Sequence, residues 1–322
     1  MQITPEDARS ATLPARDAGG GFARRLLDSD LWHSFTRSWV TMAAFIVVAL
    51  LIGSAVFAPW VAPNDPFNLE TLSLLDGGKP PFWHAEGELR FPLGTDQQGR
   101  CVLSSILFGM RSSLIVGLFG VALAGVIGIT LGLLAGYIGG AVDAVIMRVA
   151  DVQLTFPAIL IALLIDGTMR ALVGAARSEL LVFWVLVISI GLSFWVQYAR
   201  TVRGSTMVER NKEYVQAARL IGLSQSTILF RHVLPNVIGP VLVIVTINLA
   251  LAIITEATLS FLGVGLPPTE PSLGTLIRIG NEFLFSGEWW VVIFPGVTLA
   301  ALVIAINLLG DWLRDALNPK LR

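Results

Sequence analysis

The chain has 322 residues, of which 54% are hydrophobic and only 14% charged, against about a quarter charged in soluble domains. Its net charge of -1 speaks against a nucleic-acid partner, and its single cysteine, Cys101, excludes an internal disulfide and any cysteine-based metal cluster. His33, His84 and His232 match no metal-ligand spacing, so neither a metal nor a cofactor is expected.

A polar N-terminal tail covers residues 1–38, and the first apolar run, 39–58, is long enough for a membrane helix. It reads as an anchor, because its apolar run is longer than a cleaved leader's and no A-x-A site follows. Residues 59–110, rich in Pro, Gly and Trp, form a segment outside the membrane, too short for a catalytic domain. Further spans are expected at about 112–137, 143–165, 180–199, 238–262 and 291–310, within a core of 111–310, and a C-terminal tail covers 311–322. The 143–165 span is interrupted by Arg148, Asp151, Gln153 and Pro157. It is kept because six spans place most Lys and Arg, including Arg200, Arg203, Arg210, Lys212, Arg219 and Arg231, on the cytoplasmic side. The expected fold is therefore an all-α membrane protein with six transmembrane helices and both termini in the cytoplasm. The second outside segment, 263–290, carries tryptophans that suit a membrane interface.

Gly128, Gly132, Gly136 and Gly140 recur every four residues in the second span. Such a stripe lets helices approach closely, either inside one bundle, which is the commoner use, or at a gate or subunit interface. Arg148 and Asp151 stand three apart on one helical face and can pair; they are either pathway residues or, the favoured reading, a structural pair. Glu256 stands alone in an apolar run, and is either a pathway residue or a buried structural contact.

The chain lacks G-x-x-x-x-G-K-[ST], H-E-x-x-H and G-x-S-x-G, so no phosphate cradle or nucleophile-base pair can be named. It is expected not to be an enzyme.

Between the fourth and fifth of the six expected spans, residues 200–237 break the apolar pattern. Tyr214, Ala217, Ala218 and Ile221 share a helical face; Gly222 suits a left-handed cap and Ser224 can start a second helix. Ile228, Leu229 and Val233 give that helix an apolar side, and Pro235 is expected to end it. The result is a shallow cytoplasmic knob whose exposed face requires a partner groove.

The run Ala217-Ala218, three residues, Gly222, nine residues, His232, one residue, Leu234-Pro235 resembles the EAA motif of ABC importer permeases. Gln216 stands where that motif has Glu, and His232 where it has Ile. The second change, with Glu213, Tyr214, Arg219 and Asn236, resembles the dipeptide/oligopeptide branch. So do "PLGTDQQGR" (92–100), "SFLGVGLPP" (260–268) and "GDWLRDALNPKLR" (310–322), although Cys101 replaces the usual Asp and "PSLG" stands for "PSWG". The resemblance covers about 40–322 and implies a type I ABC importer permease fold in the bacterial inner membrane. It also implies that residues 213–235 form a coupling helix for ATPase subunits. The implied partners are a second homologous permease, two ABC ATPases and a periplasmic solute-binding protein, with peptides or similar small solutes as cargo. The alternative is an ion-driven secondary transporter using Glu256; a membrane enzyme is the weaker rival.

Overall fold

The computed structural model describes residues 35–68, 72–173 and 178–316. The remainder of the two tails, including the end of the 310–322 motif, lies outside the described residues. Among the described residues the architecture is helical, with one isolated antiparallel bridge between Thr95 and Cys101.

Helix α1 spans Trp39–Val56 and starts where Ser38 accepts a hydrogen bond from the Thr41 amide, an N-cap. Helix α2 runs Val102–Ile138, 37 residues, or about 55 Å at the standard rise. It begins ten residues before the expected span, because Arg111 ends the charge-free run without ending the helix. Val102, Ile106 and Met110, assigned from sequence to the outside segment, are instead buried on its first turns.

The expected 143–165 span is broken into α3, Gly140–Leu154, and α4, Ala158–Val173, bent by 89°. Pro157 explains the break: it has no amide proton and disfavours helical geometry at Phe156. Among the described residues, five helices are long and apolar enough to cross a membrane, six if this bent pair is one span.

Helix α5, Glu179–Glu209, continues ten residues beyond the expected end at 199. Arg200 and Arg203 carry their charge off its packed face, while Val202 and Thr206 keep that face buried. The first part of the expected 200–237 loop is thus helix. Helix α6 is Glu213–Leu220. A turn at Gln225–Thr227 leads through a π-helical stretch, Ile228–Val233, directly into α7, Leu234–Phe261. Helices α8, Leu273–Phe283, and α9, Trp290–Ala316, complete the chain.

The longest seam joins α2 to α5. A Cβ on Gly132 would stand 2.6 Å from the Ala199 carbonyl oxygen, and one on Gly136 2.7 Å from that of Arg203; Gly128 is equally tight against Trp195 and Tyr198. The stripe therefore serves packing within this chain. Gly140 departs from it, lying in open space with φ +57. Buried Val116, Ala124, Leu186, Ile190 and Tyr198 fill this seam, and Ile228 and Val233 extend the same core toward α6. A second core joins α1, the start of α2, α7, α8 and α9 around Met110, Ile253, Leu276 and Leu302.

The "GTDQQGR" run folds into a tight turn that ties this end of the molecule together. Gly94 and Gly99 adopt φ +82 and +77. Asp96 accepts from the amides of Gln98 and Arg100 and pairs with the Arg100 guanidinium at 2.6 Å, both side chains buried. Arg100 also donates to the Pro268 carbonyl (3.2 Å), and Trp290 Nε1 donates to that of Thr95 (3.0 Å). Beside this turn Lys79 bridges Asp76 and Glu88, whose hydrogen bonds raise its amine above the usual lysine range. Cys101 is buried at the N-cap of α2, where its thiol makes no capping bond.

Candidate functional site

The knob is built on α6. Val215 and Ala218 bury its inner side, leaving Ala217, Leu220 and Ile221 outward, the last two 89% and 76% exposed. The sequence reading put Ala218 on the outward face; Val215, three residues earlier, instead sets a buried stripe that draws Ala218 inward. The helix stops in a Schellman motif: the Gly222 amide donates to Arg219 O (3.0 Å) and the Leu223 amide to Ala218 O (3.1 Å). Gly222 supplies the required left-handed residue, at φ +80. Ser224 then caps the next turn, accepting from the Thr227 amide at 3.3 Å.

Ile228, Leu229 and Val233 are buried, as their pattern implies. Pro235, however, ends nothing: it sits in the first turn of α7, and the helical path continues through it. A proline is tolerated in a first turn, and the wider π turn before it leaves room for its ring. Phe230 joins the exposed apolar surface at 61% exposure. Glu213 lies exposed in the first turn of α6, where a carboxylate complements the helix dipole.

Tyr214 locks the knob to the two long helices beside it. Its hydroxyl donates to Glu209 Oε2 at the end of α5 (2.6 Å) and accepts from Asn236 Nδ2 at the start of α7 (3.2 Å). Burial of the hydroxyl, with the bond given to Glu209, pushes Tyr214 up to about 12, so it remains a donor at physiological pH. The half-buried His232 contributes chiefly its carbonyl, which accepts from Asn236 Nδ2 at 2.6 Å, while Leu234 is half-buried beside it. Arg219 lies over the Tyr137 ring, 5.5 Å from its centroid, and the Tyr137 hydroxyl donates to Gln225 Oε1. Arg210 donates to the last carbonyls of α2, at Gly136 (2.8 Å) and Tyr137 (3.3 Å).

The expected Arg148–Asp151 pair does not form. Asp151 binds Arg200 of α5 at 2.6 Å, because α3 packs alongside α5 and presents that carboxylate across the gap. Arg203 grips Asp143 through both carboxylate oxygens in the same way. Arg148 instead lines a 390 Å³ cavity in the crook of the α3–α4 bend, with Gln153, Phe156 and Leu192.

Glu256 is fully buried. Ser260 donates to its Oε1 at 2.6 Å, and its Oε2 has no partner among the described residues. It faces the N-terminus of α8, where Ser272 caps the helix and Ser113 accepts from the Leu273 amide at 3.1 Å. The position suits a structural contact. Among the described residues, no three His, Cys, Asp or Glu side chains are grouped to hold a metal.

Sequence reasoning missed the Tyr214–Glu209 and Arg203–Asp143 links, which join distant segments. It also missed Asp166–Arg170, whose four-residue spacing on one helix was readable.

Comparison with known proteins agrees with this geometry. Residues 128–322 match the family model of the binding-protein-dependent transport system inner membrane component, and residues 29–81 the N-terminal transmembrane domain of oligopeptide transport permease C. The chain is 39% identical to a di/tripeptide transport system permease protein of Pseudomonas aeruginosa, with 91% of this chain and 92% of the relative covered. It is 34% identical to a dipeptide transport system permease protein of Haemophilus influenzae (94% and 97% covered). It is 38% identical to a glutathione transport system permease protein of Pectobacterium atrosepticum (91% of each). In fold it is similar to the MetNI methionine ABC transporter in an inward-facing conformation, with TM-score 0.52, 17% identity, and 66% of this chain and 96% of that chain covered. The chain belongs to the binding-protein-dependent transport system inner membrane component family, the permeases of type I ABC importers, and is a multi-pass protein of the bacterial inner membrane.

Proposed function

We propose that this chain is one of two related permease subunits of an ATP-driven importer for dipeptides or similar small peptide-like solutes. Two ABC ATPases and a periplasmic solute-binding protein complete the machine. Both termini and the α6 knob face the cytoplasm, and the turn around residues 94–100 faces outward. The chain supplies no ATPase of its own; its work is mechanical.

The observation that carries this reading is the knob. Leu220 and Ile221 stand exposed on a short helix closed by a Schellman motif and tied by Tyr214 to both α5 and α7. Such a surface suits an ATPase groove, and such bracing suits transmission of force. When ATP draws the ATPases together, the knob moves with its groove, and α5 and α7 rock with it. The cavity between the permeases opens outward, accepts solute, and returns after hydrolysis, an alternating-access cycle. The names of the relatives support peptides or glutathione as the solute class. The ion-driven alternative has no such support: Glu256 is sealed from solvent and held by Ser260.

Uptake of labelled dialanine in cells deleted for this chain tests the proposal. Uptake returns with the wild-type chain, survives collapse of the proton gradient while ATP is maintained, and fails when the partner ATPases are removed. Uptake that persists without the ATPases overturns it.

A further inference from the structure

Two neighbouring cavities open near the loop that joins α7 to α8, and they carry opposite charge. The first, of about 190 Å³, is walled by Arg170 of α4, Arg278 of α8, Ser260 and the 263–268 loop. The second, of about 300 Å³, is walled by Glu179 and Glu270 with Leu180 and Phe183. Leu266 is common to both. Arg100, in the "GTDQQGR" turn, donates to Pro268 of the same loop, so both cavities lie at the end of the molecule that bears that turn.

The two arginines are held differently. Arg170 is oriented by Asp166 at 2.6 Å and by the Gly263 carbonyl at 3.0 Å, which balances its charge and fixes its plane. Arg278 has no hydrogen bond or ion pair among the described residues, and its Nε is buried without a partner. A buried, unmatched guanidinium N–H is costly to leave unmade. Glu256 lies behind the wall, sealed from the cavity's solvent, with Ser260 in between. The first cavity thus presents a cation lacking an acceptor.

We propose that the Arg170–Arg278 cavity is a binding site for the carboxylate end of the transported solute. A guanidinium fork matches a carboxylate in geometry and charge. The volume is below that of a whole-ligand pocket, which starts near 300 Å³, so it holds an end group and leaves the remainder of the solute outside. The glutamates across Leu266 disfavour a ligand that is anionic throughout, such as phosphate or a dicarboxylate. They are compatible with a solute negative at one end and cationic or neutral at the other, as a free peptide is. This deepens the proposed function and rests on it for the direction of transport. It places a checkpoint for solute chemistry in the permease itself, after release from a binding protein.

The test uses the purified full-length chain in lipid nanodiscs, without a binding protein, and equilibrium dialysis of labelled dialanine. Competitors are unlabelled dialanine, dialanine amide, acetate and inorganic phosphate. Wild type binds dialanine with a Kd at or below about 10 mM; acetate competes, and the amide and phosphate compete at least tenfold less well. Arg278→Gln weakens binding roughly tenfold or more, and Arg278→Lys, which keeps the charge, loses less. No dialanine binding, equal competition by the amide, stronger competition by phosphate than by acetate, or a folded Arg278→Gln chain that binds like wild type each overturns the site. The acid-against-amide comparison needs only wild-type protein, so a misfolded variant does not spare the proposal. Failure of the transport reading is distinguishable: dialanine uptake that ignores deletion of this chain sinks that reading alone. Binding indifferent to Arg278, with uptake intact, sinks only the cavity.

Discussion

Gly132 of α2 lies against Ala199 of α5 so closely that a methyl group on the glycine would stand 2.6 Å from the alanine's carbonyl oxygen. That oxygen belongs to the backbone and cannot swing aside, so the two helices must part. Gly132→Ala is expected to lower stability by about 1–3 kcal/mol and Gly132→Val by more. Thermal unfolding in detergent checks the order; an unchanged midpoint for the valine variant removes the seam from the account of the fold.

Gly222 is constrained differently. Nothing lies within 4 Å of a Cβ built there, but its φ is +80. Conformation, not space, selects glycine, and a branched residue in that region costs about 1–2 kcal/mol. Gly222→Val is expected to leave the protein in the membrane while uncoupling ATP hydrolysis from uptake. Gly222→Asn, which tolerates the left-handed region, is expected to remain close to wild type. Side-by-side uptake and ATPase assays separate the two, and equal behaviour of both variants counts against the Schellman motif as the reason.

Tyr214→Phe removes one hydroxyl and leaves Glu209 Oε2 and Asn236 Nδ2 short of a partner. A loss of about 1–2 kcal/mol in the bracing is expected. Uptake should fall several-fold while ATPase binding, which we propose uses the outward Leu220 and Ile221, persists. Co-purification of the ATPases measured beside uptake checks this; loss of both together assigns Tyr214 to the docking surface itself.

Cys101 is the sole cysteine and is buried where α2 begins. A maleimide added to the native protein is expected to leave it unmodified, and to label it once denaturant is present. Rapid native labelling would place the start of α2 elsewhere.

Much of this molecule was readable from residue order alone. Apolar runs located the long helices, and Ala217, Gly222 and Ser224 announced the knob because caps and turns are local. What escaped was decided by partners distant in the chain. Asp151 left Arg148 for Arg200 because α3 lies along α5, and Ala218 turned inward because Val215 found the core. Helix ends were misjudged wherever one charge interrupted an apolar run, as at Arg111 and Arg200, since a long side chain can reach away while the backbone winds on. Pro157 and Pro235 show the same limit: one breaks a helix and the other begins one, and the difference lies in the turn before each.

The π-helical run Ile228–Val233 sets a phase between two surfaces. Its wide turn advances each residue through a smaller angle than ordinary α geometry. If those six residues tightened to α winding, the part of the chain before them would spin by about 100° about the axis of α7. Leu220 and Ile221 would then point along a different meridian while every residue of α7 kept its place. The angular setting of the grip is thus written in one loosened coil, and a torque applied there would be felt as rotation as well as tilt.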